Sequence, residues 1–248
     1  MNNETLDKMR QLRLYGMYDA FKTNLETSVK ESLTADQFIA LLVASEWDDR
    51  RNRYVERAIR LAGFRYKASL EQIDYAIDRG LEKNQVHRLA ALDFVKEHKD
   101  VFITGSTGTG KSYLATALGY QACQSGYKVM YVNTAKLMGQ LKLAKAKGTI
   151  LAELKRIERA DLLILDDFGL QPFDAQSRAS LLDIIEDRHQ KRSTVVTSQI
   201  PVKEWYDIIG EKTIADAILD RIVHHSLRVE LYGESLRRRN SKSENVFL

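Results

Sequence analysis

Gly105, Gly110, Lys111 and Ser112 are the fixed points of a G-x-x-x-x-G-K-S pattern, and their spacing suits phosphate chemistry. Glycines let the backbone curl so that successive N–H groups converge on one concavity, a shape made for phosphate oxygens. A helix starting near Gly110 adds the positive end of its dipole. Lys111 is placed to reach β- and γ-phosphates, and the Ser112 hydroxyl is a ligand for Mg2+. The candidate nucleotide-binding segment is therefore Gly105, Ser106, Thr107, Gly108, Thr109, Gly110, Lys111 and Ser112, with Tyr113 beside it. The competing reading is a glycine turn next to a surface lysine. It leaves unexplained the apolar run Val101–Thr104 before the loop and the helical pattern Tyr113–Tyr120 after it.

A second constellation lies at Leu162-Leu-Ile-Leu-Asp166-Asp167. An apolar strand ending in Asp puts one carboxylate near Ser112 and its Mg2+, and makes Asp166 the candidate metal ligand. Asp167 is placed to orient or deprotonate an attacking water. Asp-Asp also occurs in plain turns; only the coupling to the glycine loop gives it meaning. The strand Ser193–Ser198 ends in Ser198-Gln199, and a polar side chain at that tip could sense a γ-phosphate.

These residues need a scaffold. From residue 100 onward, short apolar runs alternate with helical patterns, the signature of a parallel sheet wrapped by helices. Strands are expected at 101–104, 126–132, 161–166, 193–198 and 227–231. Helices are expected at 112–124, 134–146, 149–159, 174–190, from Pro201 to about 209, and at 213–224. Before residue 100 the pattern is helical. One helix is expected over 1–30, and a second opens on the capping box Thr34-Ala-Asp-Gln37 and runs towards Leu61. Ser69-Leu-Glu-Gln72 is another capping-box candidate, and Asn84 is expected to cap a helix through Lys96. The helical part gives way to the rest near residues 63–75.

Arg50, Arg53, Arg57 and Arg60 recur at spacings that place them on one helix face, with Val55, Ile59 and Ala62 on another. Such a stripe suits a phosphate backbone. An ordinary solvated face, or pairing with acids of a neighbouring subunit, explains it equally well. The net charge of +4 is too small to decide for nucleic acid. The single cysteine, Cys123, excludes an internal disulfide and reads as a core thiol. The first residues carry no apolar signal region, and no apolar run approaches the roughly 18 residues of a membrane span. A cytoplasmic protein with no membrane partner is expected.

With both nucleotide motifs placed, the chain resembles the IstB family, the ATP-binding helper proteins of bacterial insertion sequences, in the AAA+ group that includes the DnaA initiator and the DnaC helicase loader. The resemblance rests on Leu12–Met17, Arg50–Arg53, Gly110–Tyr120, Ser193–Ser198, Trp205, Ala217–His225 and Gly233–Arg237. It implies an α/β fold of the AAA+ P-loop NTPase type. Its five-stranded parallel sheet would have the order 5-1-4-3-2, behind a small all-helical domain at 1–68, with the ATPase domain at 69–248. It also implies that Arg221 acts as an arginine finger on a neighbour's γ-phosphate within a homo-oligomer, and that Arg237 senses the subunit's own nucleotide. Arg238 is the alternative, because the run Arg237–Arg239 blurs the register. By the same resemblance Lys142, Lys145 and Lys147, with Lys136, face a DNA channel; helix-solubilising lysines are the alternative. His224 and His225 are read as structural. The family usually has Glu where Asp167 stands and Asn where Gln199 stands, departures that bear on hydrolysis more than on binding.

The function this implies is ATP- and Mg2+-dependent assembly on duplex DNA, with ATP hydrolysis, to direct or stimulate a partner transposase. A DnaC-like helicase loader and a weakly hydrolysing ATP-bound scaffold are the alternatives.

Overall fold

A computed structural model of the chain describes residues 2–27, 33–224 and 226–236. Two compact units divide it, Met1–Arg57 and Ala58–Leu248.

The first unit holds α1 (Asn2–Gln11), α2 (Tyr15–Thr27) and most of α3 (Ala35–Ala62). The single helix expected over 1–30 is broken at Arg13, whose φ of 59° is left-handed. The break lets α2 fold back against α3. Gly16 is needed there, because a Cβ would lie 2.2 Å from the Ser45 carbonyl oxygen. Glu46, buried on α3, accepts from the Gly16 N–H at 2.9 Å and the Met17 N–H at 3.3 Å. One carboxylate thus serves two of the N–H groups that the start of α2 leaves without helical partners. The capping box at Thr34 forms as expected: Gln37 N–H donates to Thr34 Oγ1 and Thr34 N–H to Gln37 Oε1.

In the second unit, α4 (Lys83–Ala90) and α5 (Asp93–Lys96) lead into β1 (Val101–Gly105) and α6 (Lys111–Gln124). Next come β2 (Val129–Asn133), α7 (Thr134–Ala146), α8 (Ile150–Glu158), β3 (Leu162–Phe168), α9 (Ala175–Arg188) and β4 (Ser193–Ser198). After a short 3-10 turn at Val202–Glu204 come α10 (Trp205–Ile209), α11 (Lys212–Val223) and β5 (Leu227–Leu231). All strand pairs are parallel, in the order β2-β3-β4-β1-β5. That is the order the resemblance implied.

Two further helix expectations fail. The helix expected over 84–96 is split by Leu92, at a left-handed φ of 59°, and its cap is Glu82 rather than Asn84. Ser69 opens no helix: its hydroxyl donates to the Glu71 carboxylate, and residues 63–82 form neither helix nor strand.

Alternate strand residues feed two apolar layers, as a sheet covered on both faces requires. Val101, Ile103, Leu162, Ile164 and Val195 pack with Leu114, Leu118 and Cys123 of α6. Phe102, Leu163, Leu165 and Val196 pack with Leu137 and Leu141 of α7, Ile184 of α9, Trp205 of α10 and Ile218 of α11. Trp205 packs against Phe102 and Phe168, and its indole N–H donates to the Ile200 carbonyl. The register sets Asn133 beside Asp166, and Thr104 beside Ser198. The polar strand tips therefore gather at the carboxyl edge, where β1 releases its glycine loop.

Candidate nucleotide site

The loop from Gly105 to Gly110 joins β1 directly to α6. Gly105 has φ of 144°, and a Cβ there would lie 1.9 Å from the Leu231 carbonyl oxygen on β5. Gly110, the N-cap of α6, has φ of 98°. A Cβ on it would fall 2.6 Å from Arg79 Nη1. Gly105 thus needs glycine for backbone conformation and for space, and Gly110 for backbone conformation. Lys111 is buried, and its ammonium donates to the Ser106 carbonyl at 2.8 Å, spanning the concavity. Thr107 donates to Gln199 Oε1 at 2.6 Å, so the tip of β4 also reaches the loop.

Ser112 Oγ donates to Asp166 Oδ1 at 2.7 Å. Asp166 is fully buried. Its Oδ1 also accepts from Thr197 Oγ1 and its Oδ2 from the Tyr131 hydroxyl. Burial, followed by the bond to Asp166, pushes the Tyr131 phenol well above its usual value, so it stays a donor. Three hydroxyl groups, from three elements, thus donate to one carboxylate. A serine hydroxyl and one carboxylate are the hard-oxygen donor set that suits Mg2+, which takes few protein ligands and completes its shell with phosphate and water. Among the described residues, no cluster of three or more His, Cys, Asp or Glu side chains offers an all-protein metal cage.

Asp167 differs from its neighbour. Its φ is 57° and its N–H donates to Thr197 Oγ1 at 3.1 Å. Its Oδ2 accepts from Asn133 Nδ2 at 3.0 Å and lies 3.9 Å from Arg65 Nη1. Asn133 also caps α7, accepting from the Lys136 N–H. The carboxylate that would handle water is therefore tied back to the end of β2.

Of the two candidates at the tip of β4, Ser198 is fully buried and donates to the Phe168 carbonyl, while Gln199 lines the cavity. The cavity measures about 970 Å3 and brings together Thr107, Gly108, Gly110, Lys111, Ser112, Tyr113, Asp167 and Gln199. Residues 63–82 close another part of its wall with Tyr66, Ile73, Ile77 and Arg79. The Tyr113 hydroxyl bonds Ser69 and Gln72 of that segment. Sequence reasoning missed Arg65, Arg79 and Asn133. Asn133 could have been found as a polar strand tip followed by a helix; the two arginines sit in an irregular segment that carries no motif.

The remaining candidates lie elsewhere. Arg221 on α11 donates to the Ala217 carbonyl and to Glu186 on α9, both at 2.7 Å. Arg50, Arg53, Arg57 and Arg60 are all exposed on α3, but Arg50 pairs with Glu46 and Arg53 with Asp49, both at 2.6 Å. Lys142 pairs with Asp174, the N-cap of α9; Lys145 and Lys147 are exposed. His224 pairs with Asp220 on the surface. Arg237, Arg238, Arg239 and His225 lie outside the described residues.

A glycine loop between β1 and α6, a carboxylate at the tip of β3, one strand removed from β1, and this strand order define the P-loop fold of the AAA+ class. Solved structures share the fold: AMPPCP-bound DnaA from Aquifex aeolicus, with TM-score 0.59 and 21% identity, covers 75% of this chain and 57% of its own. DnaI, with TM-score 0.57 and 24% identity, covers 73% of this chain and 92% of its own. Residues 7–244 match the family of IstB-like ATP binding protein, and the chain belongs to that family. A relative named insertion sequence ATP-binding protein y4pL, from Sinorhizobium fredii, is 42% identical over 94% of this chain and 96% of its own length. No described helix is long and apolar enough to cross a membrane.

Proposed function

We propose that the chain binds ATP with Mg2+ at Gly105–Ser112, hydrolyses it, and uses the nucleotide to assemble on duplex DNA, where it directs a partner transposase. The observation that carries the nucleotide reading is the 2.7 Å approach of Ser112 Oγ to Asp166 Oδ1, across two elements, beside a buried lysine. Lys111 would exchange the Ser106 carbonyl for β- and γ-phosphate oxygens. Ser112 and Asp166 would hold the Mg2+, which supplies charge neutralisation at the phosphates. Asp167 would orient the attacking water and take its proton, and Gln199 would contact the γ-phosphate from β4. Arg221 would serve a neighbour's nucleotide in trans, once separated from Glu186, and Arg237 the subunit's own.

The family and its insertion-sequence relatives support the transposase context. Arg57, Arg60, Lys145 and Lys147, exposed and without ion pairs among the described residues, are the first choices for DNA phosphates. Arg50, Arg53 and Lys142 would have to share their cations with Glu46, Asp49 and Asp174. On this reading residues 1–68 serve DNA binding or oligomerisation, residues 69–248 form the ATPase, and the protein works in the cytoplasm.

The tie from Asn133 to Asp167 favours a second reading on rate: slow hydrolysis until that contact breaks. Turnover of ATP with and without duplex DNA tests both. Asp166→Asn should abolish Mg2+-dependent turnover. Equal turnover by Asp166→Asn and the parent would overturn the site.

A further inference from the structure

Arg79 is 7% exposed, and its guanidinium reaches into the wall of the nucleotide cavity. Nη1 donates to the Thr109 carbonyl at 3.1 Å and Nη2 to the Asp74 carbonyl at 3.3 Å. The Nε–H is buried with no hydrogen-bond partner. No carboxylate lies within ion-pair distance of Arg79 among the described residues. A guanidinium buried without an anion is costly, as is a buried donor left unmade. Burial accordingly pulls its pKa below the usual value, against Asp74 and Tyr75. Two neutral carbonyls hold the group in place but do not balance its charge.

We propose that Arg79 is a nucleotide-binding residue whose missing anion is the α-phosphate end of the bound nucleotide, an inference that rests on the ATP-site reading above. Its placement decides which phosphate. Arg79 touches the loop at Thr109 and Gly110. The Lys111 ammonium sits at Ser106 and the Ser112 hydroxyl at Asp166, which assigns those two to the β/γ and Mg2+ end. Arg79 thus serves what ATP and ADP have in common. It would also report occupancy to the segment after β5, because Tyr232 N–H donates to the Arg79 carbonyl and Leu236 N–H to the Gly108 carbonyl.

The test is calorimetric titration of the full chain and of Arg79→Gln and Arg79→Lys with ATP and with ADP, beside the melting temperature without nucleotide. The expected result for Arg79→Gln is a loss of at least about tenfold in affinity for both nucleotides, with their ratio kept. Arg79→Lys should recover part of it, and melting without nucleotide should stay level or rise. Affinities within twofold of the parent overturn the proposal, as does a loss confined to ATP. A lowered melting temperature with affinity that lysine does not recover also overturns it, by making Arg79 a strut. If the parent chain binds neither nucleotide, the ATP-site reading fails first; if the parent binds and Arg79→Gln binds equally, only this inference does.

Discussion

Asp166 and Asp167 are adjacent in sequence and opposite in environment. Asp166 is sealed among three hydroxyls, whereas Asp167 faces the cavity in a left-handed conformation, tied to Asn133. Adjacent residues on a strand point to opposite faces, and the left-handed φ at Asp167 alters that alternation at the tip. Asp167→Asn should keep ATP affinity and lower turnover by at least about a hundredfold, the usual share of a general base. Asn133→Ala should do the reverse and raise turnover without DNA, because it frees Asp167. Steady-state phosphate release checks both. Unchanged release from Asn133→Ala would mean that the tie does not restrain the carboxylate. Gly105, Lys111, Ser112 and Asp166 were legible because their chemistry is local or confined to one strand tip. Arg79 and Arg65 were not, since only the path of an irregular segment brings them to the loop.

The elements explain which sequence patterns spoke plainly. Capping residues with short-range partners, such as Thr34 with Gln37, and apolar runs buried on both sheet faces were readable. Arg13 and Leu92 break expected helices with ordinary residue types at positive φ, which no composition rule marks. The contact of Gly16 with Ser45, and the bond from Glu46 to the start of α2, depend on a fold-back that the pattern of 1–30 does not announce. Gly16→Ala should destabilise the helical unit by about 1–3 kcal/mol, the cost of forcing a methyl against backbone, seen as a lower urea midpoint. At the foot of β1, burial pushes the Asp100 carboxyl up to about 7 from 3.8, against its bond from Thr194 N–H and the charge of Arg188. The folded state then holds a proton that the unfolded chain has released. Stability from this group is present below about pH 4 and is lost as pH rises through about 7. Asp100→Asn should flatten that decline between about pH 4 and 7, measured by denaturation midpoints at each pH.

At the scale of the whole molecule, Arg221 is the residue that, on the proposed function, would work between copies. Arg221 is placed on the surface-facing side of α11 and held by Glu186, a contact it must leave to serve a neighbour. Lys111→Ala should abolish nucleotide binding, and Arg221→Ala should bind ATP but turn it over about a thousandfold more slowly. Mixing the two variants should recover turnover, because one supplies the loop and the other the guanidinium. No recovery would confine Arg221 to its ion pair. The most direct measurement of the central claim is particle mass and duplex DNA retention at fixed low salt, with ATP, with ADP and with no nucleotide. A large particle holding DNA with ATP, and smaller species releasing it with ADP or none, is the predicted result. A monomer that holds DNA equally well in all three conditions would contradict it.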